Sequence, residues 1–127
     1  MEVIFNNLNG SKIDRSLIRK LADRVSKKKW EVSVSFVSRR KMKALNRAYR
    51  KKNKPTDVLS FNMNEGNVLG DVVICSSVAR ENAKKYGVSV RLEMSRLVTH
   101  GLLHLLGYDH GKKMFDLQEK ILGGSYA

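Results

Sequence analysis

The sequence predicts an α+β fold: a single domain over residues 1–127 in which a small mixed sheet of about four strands packs with about five helices. Three observations predict it. A chain of 127 residues suits one hydrophobic core, because two cores of half that size would each be marginal. Some segments carry apolar residues at period two and others at helical spacing. Glycine, asparagine and the single proline punctuate them.

Val3-Ile4-Phe5 opens a strand before the turn signal Asn6-Asn7-Leu8-Asn9-Gly10. A helix comes next, with Ser11 and Asp14 resembling a capping box and Ile13, Leu17, Ile18, Leu21, Ala22 and Val25 at helical spacing. Lys27-Lys28-Lys29 close it in the sense the helix dipole favours. Val32, Val34 and Phe36 then alternate with Ser33, Ser35 and Val37, as in a strand with one buried face. Residues 39–54 hold nine basic side chains and no acid, with Met42, Leu45 and Tyr49 on one face of a predicted basic helix that Pro55 stops. Thr56 to Phe61 resumes strand alternation, Asn64-Glu65-Gly66-Asn67 turns the chain, and Val68 to Cys75 returns as the partner strand. Ser76 or Ser77 caps a short helix ending near Tyr86-Gly87, and Ser89 caps a helix to about Leu106 that Gly107 ends. A last amphipathic helix covers residues 113–122 through Met114, Leu117, Ile121 and Leu122.

Charge divides the chain. The formal net charge is +13, and all of it falls in residues 1–56, which hold 17 Lys+Arg against four acids, whereas residues 57–127 hold eight of each. Clustered positive charge attracts a polyanion, for which nucleic acid is the leading candidate and acidic lipid the lesser one. No stretch approaches the roughly 18 apolar residues that cross a bilayer, and the start Met1-Glu2-Val3-Ile4-Phe5 lacks the pattern of a secretory signal. A cytoplasmic protein without a membrane partner is expected. The single cysteine, Cys75, permits no internal disulfide, implies no disulfide-linked partner, and reads as apolar filler of a buried strand.

The chemistry concentrates in eleven residues. All three histidines lie in His100-x-x-x-His104-x-x-x-x-x-His110, the first two one helical turn apart in a helix whose last turns are almost entirely apolar. Such a helix belongs in the core, where an imidazole without a partner costs roughly 1–3 kcal/mol. Four-residue spacing stacks two rings on one face, and Gly107 can turn the chain so that His110 becomes a third ligand. Three neutral imidazoles suit one zinc ion at the end of a central buried helix and leave a tetrahedral position open, the pattern of catalytic rather than structural sites. Nickel, copper or iron could use the same ligands, and Cys75 is an alternative fourth. The spacing equals that of metzincin peptidases, but Gly101 stands where those enzymes keep their glutamate base. Close approach of substrate or of another backbone would explain a glycine there.

Three blocks resemble the YbeY family: His100-Gly101-Leu102-Leu103-His104-Leu105-Leu106-Gly107-Tyr108-Asp109-His110, then Lys54-Pro55-Thr56-Asp57-Val58-Leu59-Ser60-Phe61, and Leu69-Gly70-Asp71-Val72-Val73-Ile74. The resemblance extends over nearly the whole chain. It implies a single-strand-specific, metal-dependent endoribonuclease acting in 16S rRNA processing and ribosome maturation, with zinc on His100, His104 and His110 and with Arg50 working in RNA cleavage. Two departures are visible. Gly111-Lys112-Lys113 is short and basic where members usually carry a longer acidic stretch, and Asn53 replaces a common aspartate.

For such a reaction the open metal position would bind water or a phosphate oxygen, and the Arg50 guanidinium could hold two phosphate oxygens. From the residues alone Arg50 reads as one more cation of a basic helix, and only the resemblance gives it a role in cleavage. Asp109 could orient a histidine or accept a proton, or simply form a turn. Asp71, Thr56 and Asp57 are pocket candidates with equivalent turn or strand-start roles. Trp30 and Tyr49 could stack on bases or belong to the core. Two competing functions remain: a non-catalytic rRNA-binding assembly factor braced by structural zinc, and a zinc-dependent peptide or amide hydrolase.

Overall fold

The computed structural model describes residues 1–7, 9 and 12–126. Strand β1 (Glu2–Asn7), helix α1 (Arg15–Val25) and strand β2 (Glu31–Val37) form the first unit, followed by α2 (Arg39–Arg50) and the hairpin of β3 (Val58–Glu65) and β4 (Val68–Cys75). Helices α3 (Ser76–Tyr86), α4 (Val90–Leu105) and α5 (Lys112–Tyr126) complete the chain. Among the described residues the predicted α+β architecture, with a mixed four-stranded sheet and five helices, is the one observed. The sheet order is β1-β2-β4-β3. β1, β2 and β4 run parallel, and β3 pairs antiparallel with β4 through Val58↔Ile74 and Ser60↔Val72.

The sheet's two faces bury different partners. Val32, Val34 and Phe36 of β2 and Val72 and Ile74 of β4 are fully buried with Ile18 and Ala22 of α1 and with Leu97, Val98 and Leu102 of α4. On the other face, Val37, Val73, Cys75 and Leu59 pack with Met42 of α2. A third cluster joins Leu21, Leu103, Met114, Ile121 and Leu122 and fixes α5 against α1 and α4. Helix α4 therefore touches the sheet, α1, α3 and α5 together. That explains why its apolar residues surround it.

Several boundaries differ from expectation. Helix α1 begins at Arg15, with Asp14 accepting from Leu17 N–H at 3.0 Å. Ile13 and Lys27 to Lys29 therefore lie outside it, while the proposed cap Ser11 and the turn residues Leu8 and Gly10 fall outside the described residues. Helix α2 stops at Arg50 rather than at Pro55: Lys51 takes the left-handed conformation (φ 57°), and the Asn46 side chain donates to Lys54 O at 2.8 Å, folding the chain back before the proline. Cys75, not Ser76 or Ser77, occupies the N-cap position of α3. Ser89 does cap α4, accepting from Leu92 N–H at 3.0 Å.

Candidate functional site

His100 and His104 leave the C-terminal half of α4 on one face, and the turn that ends the helix decides where His110 goes. Gly107 is left-handed (φ 96°), its N–H bonds His104 O at 2.9 Å, and Tyr108 N–H bonds Leu103 O at 3.1 Å. These are the paired bonds of a Schellman stop, and Tyr108 packs in the same apolar cluster as Leu103. The chain reverses and returns His110 to its partners. Ring centroids are 4.7 Å apart for His100 and His104, 5.0 Å for His100 and His110, and 4.6 Å for His104 and His110.

One ligand nitrogen from each ring lies within 4.8 Å of the others, so the three can hold a metal ion. The donor set fits one. His104 Nε2 and His110 Nε2 are 3.2 Å apart, close to the roughly 3.3 Å edge of a tetrahedron whose metal–nitrogen bonds are about 2.0–2.1 Å. The outer side of one ring is already fixed: His100 Nδ1 bonds Gln118 Oε1 at 3.2 Å, which leaves its Nε2 for a ligand. Burial pushes His100 below the ordinary imidazole value, opposed by the Gln118 bond. Burial also lowers His104, helped by the two neighbouring imidazoles and opposed by Asp109. Both rings therefore favour the neutral form a metal requires.

Gly101 is explained by the sheet. A Cβ there would stand 2.7 Å from Val72 Cγ1 and 3.2 Å from Ser60 Oγ, and Ser60 Oγ donates to Gly101 O at 3.1 Å. The missing side chain lets α4 lie directly on β3 and β4, bringing the histidines to the open edge of the sheet. A cavity of about 540 Å³ lies there, lined by the three histidines with Arg50, Thr56, Asp57, Ser60 and Asn62 among others. Arg50 thus shares a cavity with the histidines across some fifty residues of sequence. The exposed Asp109 lies outside that lining and acts on His104 only through its charge.

Asp57 does two things. Its Oδ1 accepts from Val58 N–H at 2.8 Å, fixing the start of β3, and its Oδ2 accepts from Asn82 Nδ2 at 3.2 Å. Asn82 also reaches the buried Glu93 at 3.5 Å, whose carboxyl is raised by burial. Asp71 is not in the cavity: it accepts from Ser33 Oγ at 2.6 Å across the paired strands. Cys75 is a free, fully buried thiol, and the three-histidine group does not include it. Trp30 packs against the main core, whereas Tyr49 is 66% exposed and meets Phe61 edge-on at 4.9 Å. Sequence reasoning missed Ser60, Asn62, Asn82 and Gln118. Gln118 had a signal, since it is a polar residue on the apolar stripe of Met114, Ile121 and Leu122.

The family model described as Endoribonuclease YbeY matches residues 4–125. The chain belongs to the YbeY family. Among similar proteins is Endoribonuclease YbeY of Oceanobacillus iheyensis, 42% identical, the alignment covering 93% of this chain and 90% of that one. The Staphylococcus carnosus protein of the same name is 45% identical over 72% of this chain and 70% of its own. The solution structure of TM1509 from Thermotoga maritima superposes with a TM-score of 0.73 at 34% identity, covering 98% of this chain and 90% of that one. The three sequence blocks meet here in different roles: Thr56 to Ser60 and the histidines line the cavity, while Val72 of the third block lies buried beneath Gly101 and supports α4 from below.

Proposed function

We propose that this protein is a metal-dependent endoribonuclease that cuts single-stranded RNA, with ribosomal RNA of the small subunit as its substrate and the cytoplasm as its place of action. Membership of a family whose relatives carry the name endoribonuclease supports the reaction class. The single observation that carries the reading is the shared cavity of Arg50 and the three histidines. No described helix is long and apolar enough to cross a membrane, in keeping with an RNA substrate.

His100, His104 and His110 are the proposed ligands of one ion, zinc being the best match to an all-imidazole set. Bound there, a divalent ion would polarise a phosphoryl oxygen or acidify a water. The rest falls to the chain. Arg50 would hold the phosphate through two guanidinium donors and stabilise charge developing on its oxygens. Gln118 keeps the His100 imidazole turned inward. Asp109 is proposed to hold His104 in position by charge. Asp57, anchored by Val58 and Asn82 on the cavity wall, is better placed than Asp109 to meet a proton released from the attacking group. The cations of α2 next to Arg50 would guide the RNA backbone.

Metal analysis together with cleavage of single-stranded RNA tests the reading on wild type, His104→Ala and Arg50→Ala. Activity is expected to vanish in both variants and bound metal only in the first. RNA that binds fully metallated wild type and is never cut would leave the non-catalytic assembly factor as the answer.

A further inference from the structure

The histidines open onto a second cavity. It is about 400 Å³, within the range of about 300–1,000 Å³ usual for ligand pockets, and is lined by Arg96, Met114, Phe115 and Gln118 together with His100 and His110. Arg50 does not reach it. Because the same two imidazoles border both cavities, a strand whose phosphate lies over the histidines has a neighbouring nucleotide on each side. One lies towards Arg50 and the other towards Phe115.

We propose that this second cavity is a nucleobase subsite, in which Phe115 stacks on the base flanking the scissile phosphate on the side away from Arg50. The proposal rests on the endoribonuclease reading above. Phe115 is 55% exposed, and the buried face of its helix is supplied by Met114, Gln118, Ile121 and Leu122, so the fold does not use its ring. Lone exposed apolar side chains need no explanation, but this one stands on the wall of a cavity that includes two proposed metal ligands. A phenyl face accepts any base by stacking, which suits a strand read without sequence preference. The rim supplies charge for the backbone. Arg96 is one-third exposed and only loosely tied to Glu93 at 3.9 Å. An exposed aromatic sharing a cavity with an arginine, continuous with the reaction centre, has the composition of a single-strand subsite.

The test is a cycle between enzyme and substrate. A single-stranded oligoribonucleotide with one mapped cut is compared with two versions carrying an abasic nucleotide on one or the other side of that cut. Each is incubated with wild type, Phe115→Ala and Phe115→Trp. For one flank, wild type should lose roughly tenfold in kcat/KM on removal of the base. Phe115→Ala should show that loss already on intact RNA and then be indifferent to the abasic change, whereas Phe115→Trp should behave as wild type. Metal content and melting temperature should not change, because the ring is outside the core. Losses that simply multiply, or a Phe115→Ala enzyme as active and as sensitive as wild type, would overturn the subsite. If metallated wild type cuts no RNA, the endoribonuclease reading fails separately. Fluorescence anisotropy of the same RNAs then decides: weaker binding by Phe115→Ala only where the base is present upholds the subsite, and equal affinity rejects it.

Discussion

Helices α2 and α4 are built on opposite plans. Along α2 only Met42 and Asn46 are buried, and the helix carries its cations outward with no acid among them. Along α4 nine residues are buried, including Leu97, Val98, Leu102 and Leu103, and the only strongly polar residues of its last two turns are His100 and His104. Side chains on α2 can change with little effect on packing, so that helix is free to serve an external polyanion. On α4 every neighbour constrains the histidines, and that constraint is what a metal site needs, since ligand geometry must be held before the ion arrives. The basic face of the first half and the proposed metal ligands thus belong to different helices, and Arg50, the last residue of α2, is where α2 reaches the histidine cavity.

Substitutions separate the two roles. The largest effect is expected on α4: His104→Ala should abolish metal binding and lower RNA cleavage by more than about a hundredfold, read by elemental analysis and an oligonucleotide assay. Arg50→Ala should lower cleavage by about a hundredfold with metal content intact, because it removes a charge contact of the transition state and no ligand. Gly101→Ala probes packing. Better helix propensity offers about 1 kcal/mol, but a Cβ 2.7 Å from Val72 costs roughly 1–3 kcal/mol when the core must shift. The expected net result is a lower melting temperature and reduced metal occupancy. On α2, Lys43→Gln with Arg47→Gln should leave melting and metal content unchanged and flatten the salt dependence of RNA binding, by about 0.7 in log–log slope for each phosphate no longer neutralised. A fall in melting temperature for this pair would contradict the division of labour.

The smallest effect is a pH dependence confined to the metal-free protein. Burial lowers His100 and His104 from 6.5, so the unfolded chain takes up protons that the folded one resists. Stability is then full above about pH 6.5 and declines as the pH falls through the lowered values. Thermal melts of metal-free protein between pH 7.5 and 5 should show it, and His104→Ala should weaken it.

How much of this was legible in the sequence depended on how local the cause was. Ser89, Gly107 and the histidine spacing are local signals, and they placed α4, its end and the His110 return correctly. Proline is also local, yet Pro55 misled: it sets the latest point at which a helix can end, whereas α2 is ended earlier by the left-handed Lys51 and by Asn46 reaching forward to Lys54. Tyr49 lay on the spacing of Met42 and Leu45, but it meets only the edge of Phe61 on β3 and stays 66% exposed. Asn82 was unreadable as a site residue because its partner Asp57 lies 25 residues away, and Gln118 stood out only as a polar residue on an apolar stripe, its partner His100 being 18 residues away. Asp71 shows the converse, a polar residue beside a glycine that suggested a pocket and is a cross-strand partner of Ser33. Gly101 announced a close approach without saying of what; the sheet supplied Val72.

The most direct test is a metal titration read by cleavage. Protein stripped of metal and reloaded stepwise with zinc should gain activity on single-stranded RNA in proportion to bound ion, reaching its maximum at about one ion per chain as expected for three imidazoles at one centre. Metal that loads to that ratio while RNA is bound and left intact would contradict it, as would cleavage that persists in His104→Ala without bound ion.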